Sequence, residues 1–156
     1  SGLVGSEMCI RDRIQETRYH DIMEYHILID PELYGYQIPK MTLQPIVENA
    51  LYHGIKCKRS KGQICIRGEK KQDLLILTVT DDGVGMEEAD LQDLQKEIEK
   101  PCKQTDRGFG LANVNERLHM YFGAEYGVKI ASRPGEGTQV TIVIPAVHNV
   151  TGEAIT

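Results

Sequence analysis

The sequence predicts an α/β fold in two layers, an α/β sandwich in which helices cover one face of a mixed, mostly antiparallel sheet. Two observations support this prediction. Short segments with alternating apolar residues occur between segments whose apolar residues repeat at helical spacing. The order of these segments also suits antiparallel or mixed strand pairing with helices on one side. The chain has 156 residues, which suits one domain with a single core.

Composition and charge exclude several classes of protein. The formal net charge of -5 argues against a general nucleic-acid-binding surface, which would need a basic stripe. The sequence has no apolar run of membrane-spanning length and no segment with the pattern of a secretory signal. The four cysteines lack the spacing of metal ligands, which predicts reduced thiols in a cytosolic protein.

The first elements are a tail, a helix end and a strand. Residues 1–13 show no clear period and are predicted to be a tail or a remnant of expression. Residues 14–20 could end a helix, and Tyr25 to Asp30 alternate as a strand does. Pro31 then marks a turn, because proline cannot continue a central strand.

A helix is predicted over residues 40–55. Thr42 is a candidate N-cap, and Pro45 fits the first turn. One apolar stripe consists of Leu43, Ile46, Val47, Ala50 and Leu51. A second stripe at the same spacing is polar and consists of Asn49, Tyr52, His53 and Lys56. The helix therefore offers amide, phenol, imidazole and ammonium groups on one side, although an ordinary amphipathic surface helix has the same pattern.

The central segments predict two strands and an acidic helix. Residues 63–68 and 74–80 are rich in strand-forming residues, and a polar turn at 70–73 joins them. Residues 87–99 predict a weakly held helix, halted by Pro101. Its single apolar stripe consists of Leu91, Leu94 and Ile98.

The last elements are a helix and a hairpin. Residues 111–122 repeat at helical spacing. Their inward residues are predicted to be Leu111, Val114 and Leu118, with Tyr121 as a further candidate. Strands at 127–132 and 138–144 are predicted to pair across the turn at 134–137.

Three glycine-bearing breaks are candidate ligand sites, namely Asp81-x-Gly-x-Gly85, Gly108-Phe-Gly110 and Gly135-Glu-Gly137. Glycine there permits positive φ and a close approach of ligand to backbone. Asp81 ends an apolar strand and could accept a hydrogen bond from an exocyclic amine, or simply cap a turn. The second break opens into a helix, whose first amides suit a phosphate, although a lone G-x-G is also typical of a plain turn.

A magnesium ion could also help to hold phosphates. The amide oxygen of Asn49 is a suitable ligand, with Glu48 beside it. His53, Lys56 and Arg107 could balance the phosphate charge. The sequence contains no glycine-rich loop ending in Gly-Lys-Ser/Thr and no early G-x-G-x-x-G, which disfavours P-loop and Rossmann sites.

Taken together and in order, these motifs resemble the ATP-binding domain of histidine kinases. The matching segments are Glu48-Asn49-Ala50 with His53 (the N box), 81–86 (the G1 box), 107–111 (the G2 box) and 135–138 (the last nucleotide-site loop). The segments 38–55 and 108–123 most resemble LytS/YesM-like sensor histidine kinases. The resemblance predicts a histidine kinase-like ATPase domain over 14–146, with a C-terminal tail at 147–156.

The resemblance implies the Bergerat fold of the gyrase–Hsp90–histidine kinase–MutL superfamily. It implies that the chain binds Mg-ATP and donates the γ-phosphoryl group to a histidine on a separate dimerisation and acceptor segment. Asp81 would recognise the adenine amino group with Thr138 nearby, while Gly83 and Gly85 would admit the base and ribose. Residues from about 87 to 107 would form a lid over the ATP.

The resemblance also implies a set of site residues. The implied catalytic residues are Glu48, Asn49 and His53, and the implied metal ligand is Asn49. The implied nucleotide-binding residues are Asn49, Tyr52, His53, Lys56, Asp81, Gly83, Gly85, Met86, Arg107, Gly108, Phe109, Gly110, Leu111 and Thr138.

Two positions depart from the family pattern. ATP-hydrolysing relatives have a water-activating glutamate four residues before the magnesium asparagine, where this chain has Pro45. Glu48 lies about a quarter turn from Asn49, so we expect poor water activation, which suits a kinase. Many histidine kinases have a lysine three residues after the asparagine, where this chain has Tyr52. An ATP-hydrolysing member of the superfamily and a non-catalytic nucleotide-binding module remain as alternatives.

None of the five histidines lies in a convincing acceptor segment. The resemblance therefore implies an upstream dimerisation and acceptor segment as partner, together with a cognate response regulator. It also implies that the chain is the cytoplasmic domain of a membrane-anchored, dimeric sensor.

Overall fold

The computed structural model describes residues 23–39, 42–51, 62–99 and 109–147. The strands are β1 (Met23–Ile29), β2 (Gly62–Lys71), β3 (Leu74–Asp81), β4 (Gly127–Arg133) and β5 (Gly137–Pro145). A 3₁₀ helix spans Pro31–Gly35, and the α-helices are α1 (Leu43–Asn49), α2 (Glu88–Glu99) and α3 (Phe109–Phe122). None of the helices in these ranges is long and apolar enough to cross a membrane.

Within the described ranges the strands form one five-stranded sheet in the order β1-β2-β3-β5-β4. β1 runs parallel to β2, and the other neighbouring strands are antiparallel. The predicted fold class, a mixed and mostly antiparallel sheet with helices, is therefore confirmed.

The core lies between the inner face of the sheet and the helices. Successive side chains of a strand point to opposite faces, so each strand contributes alternate residues to the core. β3 shows this alternation along its whole length, with Leu75, Leu77, Val79 and Asp81 buried. On the outer face the side chains stay partly exposed, and Leu28 of β1 is 54% exposed.

The predicted apolar stripe of α1 is confirmed, because all five of its residues are buried. The predicted cap is correct in position and wrong in mechanism. Thr42 precedes the helix, but its side chain makes no capping bond. Its hydroxyl instead donates to the carbonyl of Pro39 at 2.6 Å. This carbonyl, three residues back, competes for the hydroxyl with the first amides of the helix.

In α3 the prediction is correct for three of its four inward residues. Leu111, Val114 and Leu118 are buried, whereas Tyr121 is 38% exposed. Phe122 packs against the core instead. It follows Leu118 by four residues and so continues the stripe along the helix, which turns Tyr121 towards the side.

The strands around the first turn are longer than predicted. β2 continues through Glu69, Lys70 and Lys71, which pair with the first residues of β3. The turn is confined to Gln72 and Asp73, and Gln72 has a φ of 55°. Backbone pairing thus continues past the apolar pattern that marks the buried part of the strand.

Two amide side chains fasten α2 to its neighbours. The Asn115 side chain, buried in α3, donates from Nδ2 to the carbonyl of Ile98 at 3.1 Å. Its Oδ1 accepts from the backbone N–H of Val128 at 2.9 Å. Gln95 of α2 donates to the carbonyl of Ile130 at 3.1 Å. The acidic helix, which has a weak apolar stripe, is therefore held by polar bonds at its C-terminal end.

Replacing Asn115 by alanine is expected to lower the free energy of unfolding by about 2–3 kcal/mol, because one buried and one partly buried backbone group lose their partner. Urea denaturation followed by circular dichroism measures the change. Gln92→Ala is the matched control, since Gln92 bonds an exposed glutamate of its own helix and its replacement should cost within about 0.5 kcal/mol. Equal stability losses for the two variants would contradict the expectation.

Candidate functional site

Three polar side chains form a row across the inner face of the sheet at one end of the strands. Asp81 of β3 pairs with Thr138 of β5. Thr138 pairs in turn with Ser132 of β4. Directly opposed residues of antiparallel strands share a face and lie about 4.5–5.5 Å apart between Cβ atoms. The row therefore places a carboxyl group and two hydroxyl groups side by side.

Asp81 is the buried member of this row, with 4% of its surface exposed. One of its oxygens, Oδ1, accepts from the backbone N–H of Gly83 at 2.9 Å. The next residue, Asp82, accepts from the N–H of Gln63 at 2.7 Å through its own Oδ1. Asp81 thus closes the turn after β3, as aspartate often does, while its side chain also faces the helix side of the sheet.

The first and last glycine-bearing breaks pack backbone against backbone. Gly85 has a φ of +70°, and a Cβ placed there would lie 1.9 Å from the carbonyl oxygen of Arg133. Gly137 has a φ of +86°, and its Cβ would lie 2.0 Å from the carbonyl oxygen of Asp81. Gly135 donates its N–H to the carbonyl of Val84 at 2.7 Å. The close backbone contacts alone therefore require glycine at both positions.

Ser132 joins the two breaks through its hydroxyl group. Its Oγ accepts from the backbone N–H of Met86 at 2.9 Å. The same Oγ donates to the carbonyl of Gly137 at 2.9 Å and lies 2.9 Å from Oγ1 of Thr138. Sequence reasoning missed Ser132. The predicted hairpin could have found it, because closing that hairpin with Arg133 opposite Gly137 sets Ser132 opposite Thr138.

A cleft of about 360 Å³ opens at this row. Asp81, Ser132 and Thr138 line it, and Leu91 and Gln95 of α2 also contribute to its lining. The cleft combines apolar surface with a few convergent polar groups, which is the usual make-up of a small-molecule site. Its polar groups favour a ligand that presents hydrogen-bond donors to the carboxyl group of Asp81.

The other predicted residues lie on α1 and at the start of α3. Asn49 is the last residue of α1 and is partly buried. Pro45, four residues earlier, lies on the same side of the helix. A Cβ added at Gly110 would lie 3.7 Å from Cβ of Pro45, so the first turn of α3 packs against this side of α1. The N-box residue and the helix start of the G2 box are therefore near one another.

Glu48 and Leu111 are two further predicted site residues, one hydrogen-bonded within its helix and the other buried in the core. Glu48 accepts a long hydrogen bond of 3.4 Å from Gln44, one turn earlier on α1. Leu111 is 1% exposed and belongs to the core. Leu111 would therefore contact a phosphate through its backbone amide and not through its side chain.

The predicted site residues fall into three groups. Hydrogen bonds and close backbone contacts bring together Asp81, Gly83, Gly85, Met86 and Thr138. α1 and the start of α3 carry Glu48, Asn49, Phe109, Gly110 and Leu111. The predictions for Tyr52, His53, Lys56, Arg107 and Gly108 lie outside the described residues. Among the residues that the structure describes, no group of three or more His, Cys, Asp or Glu side chains could hold a metal ion.

Comparison with protein families gives a match over most of the described chain. A family described as "Histidine kinase-, DNA gyrase B-, and HSP90-like ATPase" matches residues 39–148. The sensor histidine kinase YesM of Bacillus subtilis is 33% identical over 137 residues, or 88% of this chain. The sensor protein LytS of Bacillus anthracis is 35% identical over 132 residues, or 85% of this chain. The chain spans 22% of the length of each of these two relatives.

Solved structures show the same fold. The catalytic domain of the histidine kinase ThkA superposes with a TM-score of 0.67 and covers 96% of this chain. The chain in turn covers 97% of that domain, at 16% sequence identity. At this identity the likeness supports the fold alone.

Proposed function

The chain belongs to the family of histidine kinase-, DNA gyrase B- and HSP90-like ATPases, and from this premise we propose that it binds ATP with Mg²⁺ and supplies the γ-phosphoryl group to a histidine on another segment. The observation that supports this most strongly is the buried carboxyl group of Asp81 at the cleft beside Thr138. A carboxyl group accepts hydrogen bonds through both of its oxygens, and the amino group of adenine offers two donors.

The phosphates would lie towards α1 and the first turn of α3. The first backbone amides of a helix have no partner within the helix and favour an anion there. α3 begins at Phe109, and its first turn packs on the side of α1 that carries Asn49. This arrangement supports a path for the nucleotide from the Asp81 cleft to the start of α3.

The amide oxygen of Asn49 fits a magnesium ion, which takes one or two protein oxygens and completes its shell with phosphate oxygens and water. Bound there, the ion would neutralise phosphate charge during transfer. Pro45 occupies the position where a water-activating carboxyl group would stand in ATP-hydrolysing relatives. Because proline cannot activate water, Pro45 favours transfer to a protein histidine over transfer to water.

The proposed phosphoryl transfer also needs an acceptor histidine and a dimerisation segment. Since the chain spans 22% of the relatives named above, the acceptor histidine and the dimerisation segment are proposed to lie elsewhere in a longer protein. Under this proposal the chain is the cytoplasmic catalytic domain of a membrane-anchored, dimeric sensor. The phosphohistidine would then pass its phosphoryl group to a cognate response regulator.

Calorimetric titration with a non-hydrolysable ATP analogue, with and without Mg²⁺, tests the nucleotide and metal parts of the proposal. We expect Asn49→Ala to weaken binding about 10-fold or more in the presence of Mg²⁺, and far less in its absence. Gln44→Ala removes an amide from the same helix and serves as the control, with binding close to that of the parent. Failure of the parent to bind, or an equal loss with and without Mg²⁺, would count against the proposal.

A second experiment distinguishes the proposed transfer from the two alternatives. The chain is mixed with a separately prepared dimerisation and acceptor segment and γ-labelled ATP. Acid-labile label on the acceptor supports the kinase. Steady release of labelled phosphate without labelled acceptor indicates a hydrolase, and nucleotide binding with neither product indicates a binding module.

A further inference from the structure

Within the described part of the chain, the hydroxyl group of Ser132 has three polar neighbours, and it carries only one proton. The backbone N–H of Met86 can only donate, and it points to Oγ of Ser132 at 2.9 Å. The carbonyl of Gly137 can only accept, and it lies 2.9 Å from the same oxygen. The third neighbour is Oγ1 of Thr138, also at 2.9 Å. A serine hydroxyl supplies one donor and two acceptor lone pairs, so all three contacts can be satisfied in one way only.

In that arrangement the proton of Ser132 goes to the carbonyl of Gly137. The two lone pairs of Ser132 then accept from the N–H of Met86 and from the hydroxyl of Thr138. If Ser132 instead donated to Thr138, two oxygens without a proton between them would face each other at 2.9 Å, at Ser132 and Gly137. The proton of Thr138 is therefore committed to Ser132, and its oxygen presents only lone pairs to the cleft that it lines.

We propose that Ser132 is a positioning residue for base selection, which holds the hydroxyl of Thr138 as a hydrogen-bond acceptor. The inference rests on the proposed function and specifies how the site recognises its nucleotide. Thr138 and the carboxyl group of Asp81 are cross-strand neighbours on one face. Two adjacent acceptors suit the two hydrogens of a single amino group, such as the 6-amino group of adenine. They disfavour a purine that has no donor at this position.

The preference for a 6-amino group is measured as the ratio of dissociation constants of two ligands. These are ADP and purine riboside 5′-diphosphate, which lacks only the amino group. In Thr138→Val the preference for ADP is expected to fall about 3- to 10-fold, because the amino group loses one acceptor. If Thr138 donated to a ring nitrogen instead, both ligands would weaken equally, and this result would overturn the proposal. Thr141→Val, on the outer face of the same strand, is the control that leaves the preference unchanged.

The role of Ser132 is tested with Ser132→Ala, which frees the proton of Thr138. The preference for ADP is expected to fall about 3- to 10-fold in this variant as well. In a Thr138→Val background, Ser132→Ala is expected to change affinity without changing the preference. A preference unchanged by Ser132→Ala alone, or lowered further in the double variant, would show that Ser132 does not act through Thr138.

The outcomes for the parent separate the two proposals. If the parent binds neither diphosphate, the proposed function fails. If the parent binds both diphosphates equally well, nucleotide binding stands and the inference about the amino group fails. If Ser132→Ala does not fold, as judged by circular dichroism, the Thr138→Val result still decides whether Thr138 accepts or donates.

Discussion

Asp81→Asn is expected to weaken ADP binding by about 100-fold while leaving the fold intact, because a hydrogen-bond acceptor would be replaced by a donor. Asparagine has the same shape as aspartate, and its oxygen can still accept from the N–H of Gly83, which now bonds Oδ1 at 2.9 Å. That bond fixes the orientation of the side chain. The NH₂ group of asparagine then takes the place of the second carboxyl oxygen and meets the amino hydrogens of adenine.

The control for this variant is the adjacent residue. Asp82→Asn makes the same chemical change, and its oxygen can keep the bond from the N–H of Gln63. We expect Asp82→Asn to bind ADP within about threefold of the parent, because the described lining of the cleft includes Asp81 and not Asp82. Calorimetric titration measures both variants, and circular dichroism checks that both are folded. Similar affinities for the two variants would remove Asp81 from the site.

Gly137→Ala is expected to lower the free energy of unfolding by about 2–5 kcal/mol, through backbone strain and overlap together. The φ of +86° is unfavourable for any residue with a Cβ. The added Cβ would also lie 2.0 Å from the carbonyl oxygen of Asp81, which is backbone and can move only with β3. Because that movement displaces Asp81, the variant should also bind nucleotide less tightly.

Gly135→Ala separates the two causes. Gly135 has a φ of +77°, and a Cβ added there would meet no atom of the described residues within 4 Å. Its substitution should therefore cost only the strain, about 1–2 kcal/mol. Urea denaturation of both variants gives the cost of the overlap by difference. If Gly135→Ala and Gly137→Ala were equally stable, the close contact between the two breaks would be unimportant for stability.

The elements were predictable where one physical signal dominates. The stripe of α1 repeats at helical spacing because one side of the helix is buried, and all five of its apolar residues are in the core. The position of Asp81 was predictable because a polar residue that follows an apolar run marks the end of a strand. The capping role of Thr42 was predicted wrongly because the carbonyl of Pro39 and the first amides of α1 compete for its hydroxyl group. Sequence spacing does not decide between these two partners.

The positions of the glycine-bearing breaks were predictable from the sequence, but the contacts between them were not. Glycine at positions 85 and 137 indicated close approach, and the sequence cannot tell whether a ligand or another backbone segment approaches. In the structure, the approaching atoms are the carbonyl oxygens of Arg133 and Asp81. Ser132 was missed for a related reason, because its role depends on strand register, which follows from the exact residues that close the hairpin.

The hydrogen bonds of Asn115 affect how the site could close. Residues from about 87 to 107 were predicted to form a lid. Within this segment the structure describes α2, whose Ile98 is buried and whose Ile98 carbonyl accepts a hydrogen bond from Asn115. Ordering a residue costs about 1–2 kcal/mol in conformational entropy. For the residues of α2 that cost is met in folding, before any ligand arrives. This wall of the cleft is therefore preorganised, and the affinity for a nucleotide is not reduced by ordering it.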